Sequence, residues 1–232
     1  MHLSALILSL LLVNRLAVIA GMSSISKLRQ SLNLSAIKEL LHVWKHPECL
    51  IPMLEIKKLD DLSTKFLIDK NIKCIIFDKD NTLTYTYVDS LHPSVVGTMK
   101  NIIDSYKNEN VAILSNSVGT CDDDQYKGAI ETEKHIGINV IRHLHKKPGC
   151  LDEVLSHFNK NGNKIVHPNE ICMVGDRLLT DVLFANKYGM MSVLVAPLSW
   201  VKDHPIASIL RFFEMYILLP LVKLLVGIRK RS

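Results

Sequence analysis

Short aliphatic runs recur through the middle of this chain, and each one ends in a polar stretch. They are Ile72–Phe77, Val111–Leu114, Asn139–Arg142, Ile171–Val174 and Ser192–Val195. Runs this short and this continuous read as strands buried on both faces, not as helices. Between them, apolar residues recur at helical spacing over 93–107, 124–136, 149–160 and 179–188. The alternation predicts an α/β fold: a doubly wound, Rossmann-like parallel sheet with flanking helices. An apolar share of 48% with only 6% aromatic residues fits that fold better than a β-sandwich. In such a sheet, sites form at the carboxyl ends of the strands.

The polar stretches at those ends carry the chemistry. Asp78-Lys79-Asp80-Asn81-Thr82 follows the first run, and Ser115-Asn116-Ser117 follows the second. Lys146-Lys147-Pro148 lies a few residues past the third, and Gly175-Asp176-Arg177-Leu178-Leu179-Thr180-Asp181 follows the fourth. Each has a bland reading as a helix cap, a turn or a solvated loop. Their occurrence in this order, each at a strand end, is not explained by turns alone. Two carboxylates two residues apart suit a split task, in which one attacks phosphorus and the other moves a proton.

Together these elements resemble the haloacid-dehalogenase-type phosphohydrolase superfamily over residues 72–196. Within it, Asp78-Lys79-Asp80-Asn81, His145-Lys146-Lys147-Pro148 and the Gly175–Asp181 run are most similar to mitochondrial phosphatidylglycerophosphatases. That similarity extends from about residue 33, through Pro47-Glu48-Cys49-Leu50-Ile51-Pro52, into the C-terminal apolar segment. The resemblance implies Asp78 as nucleophile, forming an aspartyl-phosphate, and Asp80 as general acid and then base. It implies Mg²⁺ held by Asp78, the backbone carbonyl of Asp80, and Asp176, with Asp181 contacting the metal through water or orienting its ligands. Ser115 and Asn116 would bind the phosphoryl group. A lysine would offset the charge there, and the family pattern favours Lys147 over Lys146. Arg142, His143 and Lys146 are then candidates for an anionic headgroup.

Superfamily members often carry a cap domain over the site. Here Leu83 to Asn110 holds a loop and one helix, and Ser117 to Lys146 holds a loop, a helix and a strand. Neither interval has room for an inserted domain. No cap domain is expected, so the site should be open to a large or membrane-embedded substrate. Cys121-Asp122-Asp123-Asp124 reads as a solvated helix start.

The ends of the chain differ from the middle. The first 38 residues contain no Asp or Glu, but they do contain Arg15, Lys27, Arg29, Lys38 and seven serines. That composition resembles an organelle-targeting segment over residues 1–32, mitochondrial in type. The apolar stretch Leu3 to Ala20 also suits an anchor or signal-like segment. A helix is expected over 34–45, ending near His46-Pro47, followed by a connector over 49–70 with a short amphipathic piece. The phosphatase domain should span 33–203. Beyond it, Ile206 to Ile228 is mostly apolar, with Pro220 breaking it and Arg229-Lys230-Arg231 behind it. Its polar residues, Ser208, Arg211, Glu214 and Lys223, share about half of a helical wheel. A membrane-associating C-terminal extension (204–232) with its tail on anionic headgroups is the favoured placement, and packing on the core is the alternative.

A net charge of +5 is too weak for a nucleic-acid binder, so no nucleic-acid partner is expected. The odd, scattered cysteines (49, 74, 121, 150 and 172) suit a reducing compartment, with Cys74 and Cys172 buried. A cysteine-dependent phosphatase places an Arg six residues after its Cys, and none here does; Cys172 to Arg177 is one residue short. A zinc site from His143, His145 and Cys150 fits no common spacing. The resemblance implies a phosphatase acting on phosphatidylglycerol phosphate at the matrix side of the mitochondrial inner membrane. Phosphoprotein or nucleic-acid ends are the alternative substrates.

Overall fold

The computed structural model describes residues 42–43, 45–160, 165–201 and 205–229. Six strands run in chain order: β1 (Leu54–Ile56), β2 (Cys74–Phe77), β3 (Val111–Ile113), β4 (Asn139–Val140), β5 (Ile171–Gly175) and β6 (Met191–Val195). They form one parallel sheet in the order β1-β6-β5-β2-β3-β4. The expected α/β class and parallel sheet are what the chain adopts. The expected targeting segment and most of the 34–45 helix lie outside the described residues.

The continuous apolar character of the strands follows from coverage on both faces. On β2, Ile75 and Phe77 join one core cluster, while Cys74 and Ile76 join the other. The first cluster is covered by α1 (Thr64–Asp69), α2 (Val96–Tyr106) and α3 (Lys127–Ile136). The second is covered by α4 (Leu151–Asn159) and α5 (Leu183–Lys187). Asp123, in the Cys121–Asp124 run, receives the backbone N–H groups of Gly119, Gly128 and Ala129, and so helps to start α3.

β1 lies where a connector was expected. It is three residues long at the sheet edge, and its apolar-polar-apolar alternation, Leu54-Glu55-Ile56, is too short to mark a strand. Just before it, the Pro47–Leu50 turn packs into a cluster with Leu183, Leu218 and Val222. Asn186 fixes that turn by donating to the carbonyls of Cys49 and Ile51 at 2.9 and 2.8 Å.

The C-terminal segment is a single rod: α6 (Pro205–Phe213), a widened π-turn over Glu214–Leu218, and α7 (Leu219–Arg229). Pro220 was expected to break it. The π-turn immediately before the proline accommodates the missing N–H and the ring without a break. The rod packs on the domain through Leu218, Leu219, Val222 and Val226. Its polar stripe also turns inward: Arg211 and Glu214 are buried, and Lys223 reaches Glu55 on β1 at 2.5 Å. Ile209, Phe212, Tyr216, Ile217, Leu224 and Ile228 are left exposed. Among the described residues, no helix is long and apolar enough to cross a membrane.

Candidate active site

β2 is central, with β3 on one side and β5 on the other, so the loops after all three open at one point of the sheet edge. Asp78 continues β2, its N–H donating to the Val174 carbonyl on β5 at 2.9 Å. The chain then folds back in a tight turn. The N–H groups of Leu83 and Thr84 donate to the Lys79 carbonyl, and Asn81, at φ +67°, donates to the Thr84 carbonyl. Asn tolerates that left-handed conformation better than most residues do. Both ends of the Asn81 side chain grip the Ser199 backbone, at 2.7 and 2.9 Å.

Lys147 crosses into this turn from the loop after β4. It is buried, and its Nζ donates to Asp78 Oδ1 at 2.7 Å, Asp181 Oδ1 at 2.6 Å and the Leu114 carbonyl at 2.7 Å. Burial works against its charge, but Asp181 and Asp78 hold the ammonium above the usual lysine range. Lys146, its neighbour, points to the surface and pairs with Asp122 at 2.7 Å. The backbone N–H of Lys147 donates to Asn116 Oδ1 at 2.8 Å, so Asn116 spends its carbonyl on positioning that lysine.

Asp176 follows β5 and is fully buried. Asp181 returns to the same place through the π-turn Leu178–Val182, and its Oδ2 receives the Arg177 N–H. This closure explains Gly175, because a Cβ there would overlap the Asp181 carboxylate. Asp78, Asp176 and Asp181 each bring a carboxylate oxygen within 4.8 Å of the others. Burial pushes the Asp78 carboxyl up to about 6; Lys147 opposes this, while Asp181 and Asp80 add to it. Burial likewise pushes Asp176 up to about 8, against the pull of Arg211. Asp176 Oδ1 is buried with no hydrogen-bond partner. An all-oxygen donor set, an excess of buried negative charge and an unpaired carboxylate oxygen together fit a hard divalent cation such as Mg²⁺.

Asp80 stands on the rim. Its Oδ2 accepts from Ser117 Oγ at 2.6 Å, and Ser117 Oγ lies 2.8 Å from Ser115 Oγ. The expected acid/base and the expected phosphate-binding hydroxyl are thus joined through Ser117, a residue that its place in the sequence does not single out. Lys79, also without an assigned role, is buried beneath the turn and pairs with Asp89 at 3.2 Å.

The expected headgroup residues lie elsewhere. Arg142 forms a two-pronged pair with Glu133 and stacks over Tyr126. His143 is buried, with its ring nitrogens 2.8 Å from the Ser115 carbonyl and 2.7 Å from the His145 carbonyl. It ties the serine loop to the lysine loop and offers no free edge to a substrate. Arg142 and His143 thus brace the scaffold, whereas Lys146 sits at the surface and Lys147 turns into the cluster.

The C-terminal rod completes the site. Arg211 Nε donates to Asp176 Oδ2, and Glu214 receives Arg177 Nη2 and the Leu178 N–H, both at 2.8 Å. Beside it, Trp200, Ser208, Ile209, Phe212 and Tyr216 line an open, mostly apolar cleft of about 440 Å³. Trp200 directly follows Ser199, the residue gripped by Asn81, so the cleft adjoins the turn that follows Asp78.

This is the architecture of an open-edged α/β phosphoryl-transfer site: among the described residues, neither interval that could hold a cap contains a domain-sized insertion. The family model described as Mitochondrial PGP phosphatase matches residues 34–197, and the chain belongs to that family. It is 34% identical over 172 residues to the mitochondrial phosphatidylglycerophosphatase of Saccharomyces cerevisiae, covering 74% of this chain and 88% of the yeast protein. It is 33% identical over 196 residues to the chloroplastic/mitochondrial phosphatidylglycerophosphate phosphatase 1 of Arabidopsis thaliana, covering 82% of this chain and 54% of the plant protein. A probable mitochondrial phosphatidylglycerophosphatase of Schizosaccharomyces pombe is 27% identical over 171 residues. No solved structure matches the chain.

Proposed function

We propose that this protein hydrolyses phosphatidylglycerol phosphate to phosphatidylglycerol and phosphate, the step that supplies phosphatidylglycerol for cardiolipin synthesis. The observation that carries the chemistry is the buried cluster of Asp78, Asp176 and Asp181 on Lys147 at the carboxyl edge of the sheet. The family and the names of the relatives support the substrate.

In this reading Asp78 attacks phosphorus and forms an aspartyl-phosphate as the bond to the lipid oxygen breaks. Asp80 gives its proton to the leaving alkoxide. It then takes a proton from water, which attacks the same phosphorus and frees both phosphate and Asp78. Ser115 donates a hydrogen bond to the phosphoryl oxygens, and Lys147 offsets the charge that nucleophile and phosphate bring together. Asp78, Asp176 and the Asp80 carbonyl would hold Mg²⁺, which when bound neutralises the approaching phosphate and polarises its oxygens. Asp181 keeps Lys147 and the Asp176 loop in place.

The exposed side of the C-terminal rod supports a peripheral seat on a lipid surface. With Arg211 and Glu214 turned inward, Ile209, Phe212, Tyr216, Leu224 and Ile228 face outward, the first three of them at the cleft. The matrix side of the mitochondrial inner membrane is the proposed location.

The test is a substrate panel with purified protein: detergent-dispersed phosphatidylglycerol phosphate, a phosphopeptide and a 5′-phosphorylated oligonucleotide. The lipid should be hydrolysed at least about tenfold faster than either soluble substrate. Equal or faster release from the peptide or oligonucleotide would overturn the lipid assignment.

A further inference from the structure

The rod meets the Gly175–Asp181 loop through an unusual clasp. Asp176 and Arg177 are adjacent in the loop, while Arg211 and Glu214 are three apart and share one face of α6 and its π-turn. Asp176 pairs with Arg211, and Arg177 pairs with Glu214. Asp176, Arg211 and Glu214 are each at most 4% exposed. The two ion pairs differ in what they hold. Glu214 is spent on Arg177 and on the loop backbone at Leu178, so it docks the rod. Arg211 instead lies on a carboxylate of the acidic trio.

We infer that Arg211 is a positioning residue for the metal: by holding Asp176 Oδ2 from the rear, it aims Asp176 Oδ1 at the cation. Three observations carry this. Of the two Asp176 oxygens Arg211 holds Oδ2, while Oδ1 is buried and unpartnered. The Asp176 carboxylate has like-charged neighbours in Asp78 and Asp181, so without an anchor it would be driven to rotate away from them. The anchor is a guanidinium, whose planar, fixed donors restrain direction better than an ammonium does. Arg211 lies beyond residue 197, where the family match ends, so this positioning role falls outside the matched region.

The inference rests on the metal-assisted reading above, and its test needs no lipid. Mn²⁺ binding to the full-length protein is followed by electron paramagnetic resonance, with thermal melting alongside. Wild type should bind Mn²⁺. Arg211→Gln should bind it about 10- to 100-fold more weakly, and Arg211→Lys should recover part of the loss. Glu214→Gln should lower the melting temperature yet keep wild-type Mn²⁺ affinity in the folded protein. Unchanged or tighter Mn²⁺ binding by Arg211→Gln overturns the inference. So does a loss in Glu214→Gln as large as in Arg211→Gln, since that marks mere loosening of the rod. Failure of wild type to bind Mn²⁺ overturns the metal reading itself, and Arg211's role with it.

Discussion

At the carboxyl edge of the sheet, three buried carboxylates face one ammonium, and nothing there balances charge for charge. At the seam with the C-terminal rod, each buried charge meets an opposite one, Asp176 with Arg211 and Arg177 with Glu214. The first arrangement is costly for the fold by itself, because burial and like-charge neighbours push Asp78 and Asp176 upward. In the second, opposite partners offset part of the cost of burying the charges. An imbalance held so rigidly is what a site for a cation and a phosphate requires, and a docking seam has no use for one. Asp176 belongs to both regions.

The widest contrast to test is between the adjacent lysines. Lys147→Met leaves Asp78 and Asp181 buried without their partner. Stability in urea should fall by about 3–5 kcal/mol, and phosphate release by at least about a hundredfold. A variant with wild-type stability would show that the cluster is not held together as described.

A smaller effect follows from the carboxyl groups. Their folded-state values lie above the unfolded carboxylate value of about 3.9. The stability they contribute is therefore fully present below that value, and is lost as pH rises through about 6 for Asp78 and about 8 for Asp176. In chelator, the melting temperature should decline over that range, and Mg²⁺ should reverse the decline. The gain from Mg²⁺ should thus be larger at about pH 8 than at about pH 5.5. An equal gain at both would contradict the charge account. The smallest effect belongs to Lys146→Ala, which breaks only an exposed pair with Asp122. It should cost no more than about 1 kcal/mol of stability and leave phosphate release near the wild-type rate.

The two regions also differ in how legible they are in the sequence. The sheet-edge residues are readable because each follows a strand within a few positions, so topology alone brings them together. Asp78, Ser115, Lys147 and Asp176 are all of this kind. The choice of Lys147 over Lys146 came from family resemblance, and the structure gives its physical reason: only one of two neighbouring side chains can turn inward. The clasp could not be read this way. Arg211 and Glu214 sit in an apolar helix far along the chain, and a polar stripe on such a helix reads as its wet side. Here it is the buried side, because its partners are charges at the site. Arg142 and His143 show the opposite limit: sequence proximity to a motif does not reveal that Glu133 or a backbone carbonyl engages the side chain. β1 is not legible because one apolar-polar-apolar triplet is too short to distinguish a strand from a connector.

The central claim is that Asp78 performs metal-assisted phosphoryl transfer at an open sheet edge. The most direct measurement is phosphate release from detergent-dispersed phosphatidylglycerol phosphate by wild type and Asp78→Asn, each with Mg²⁺ and with excess chelator. Release should occur with wild type in Mg²⁺, and should drop by at least about a thousandfold in the variant and to background in chelator. Wild-type turnover by Asp78→Asn, or undiminished turnover in chelator, would contradict it.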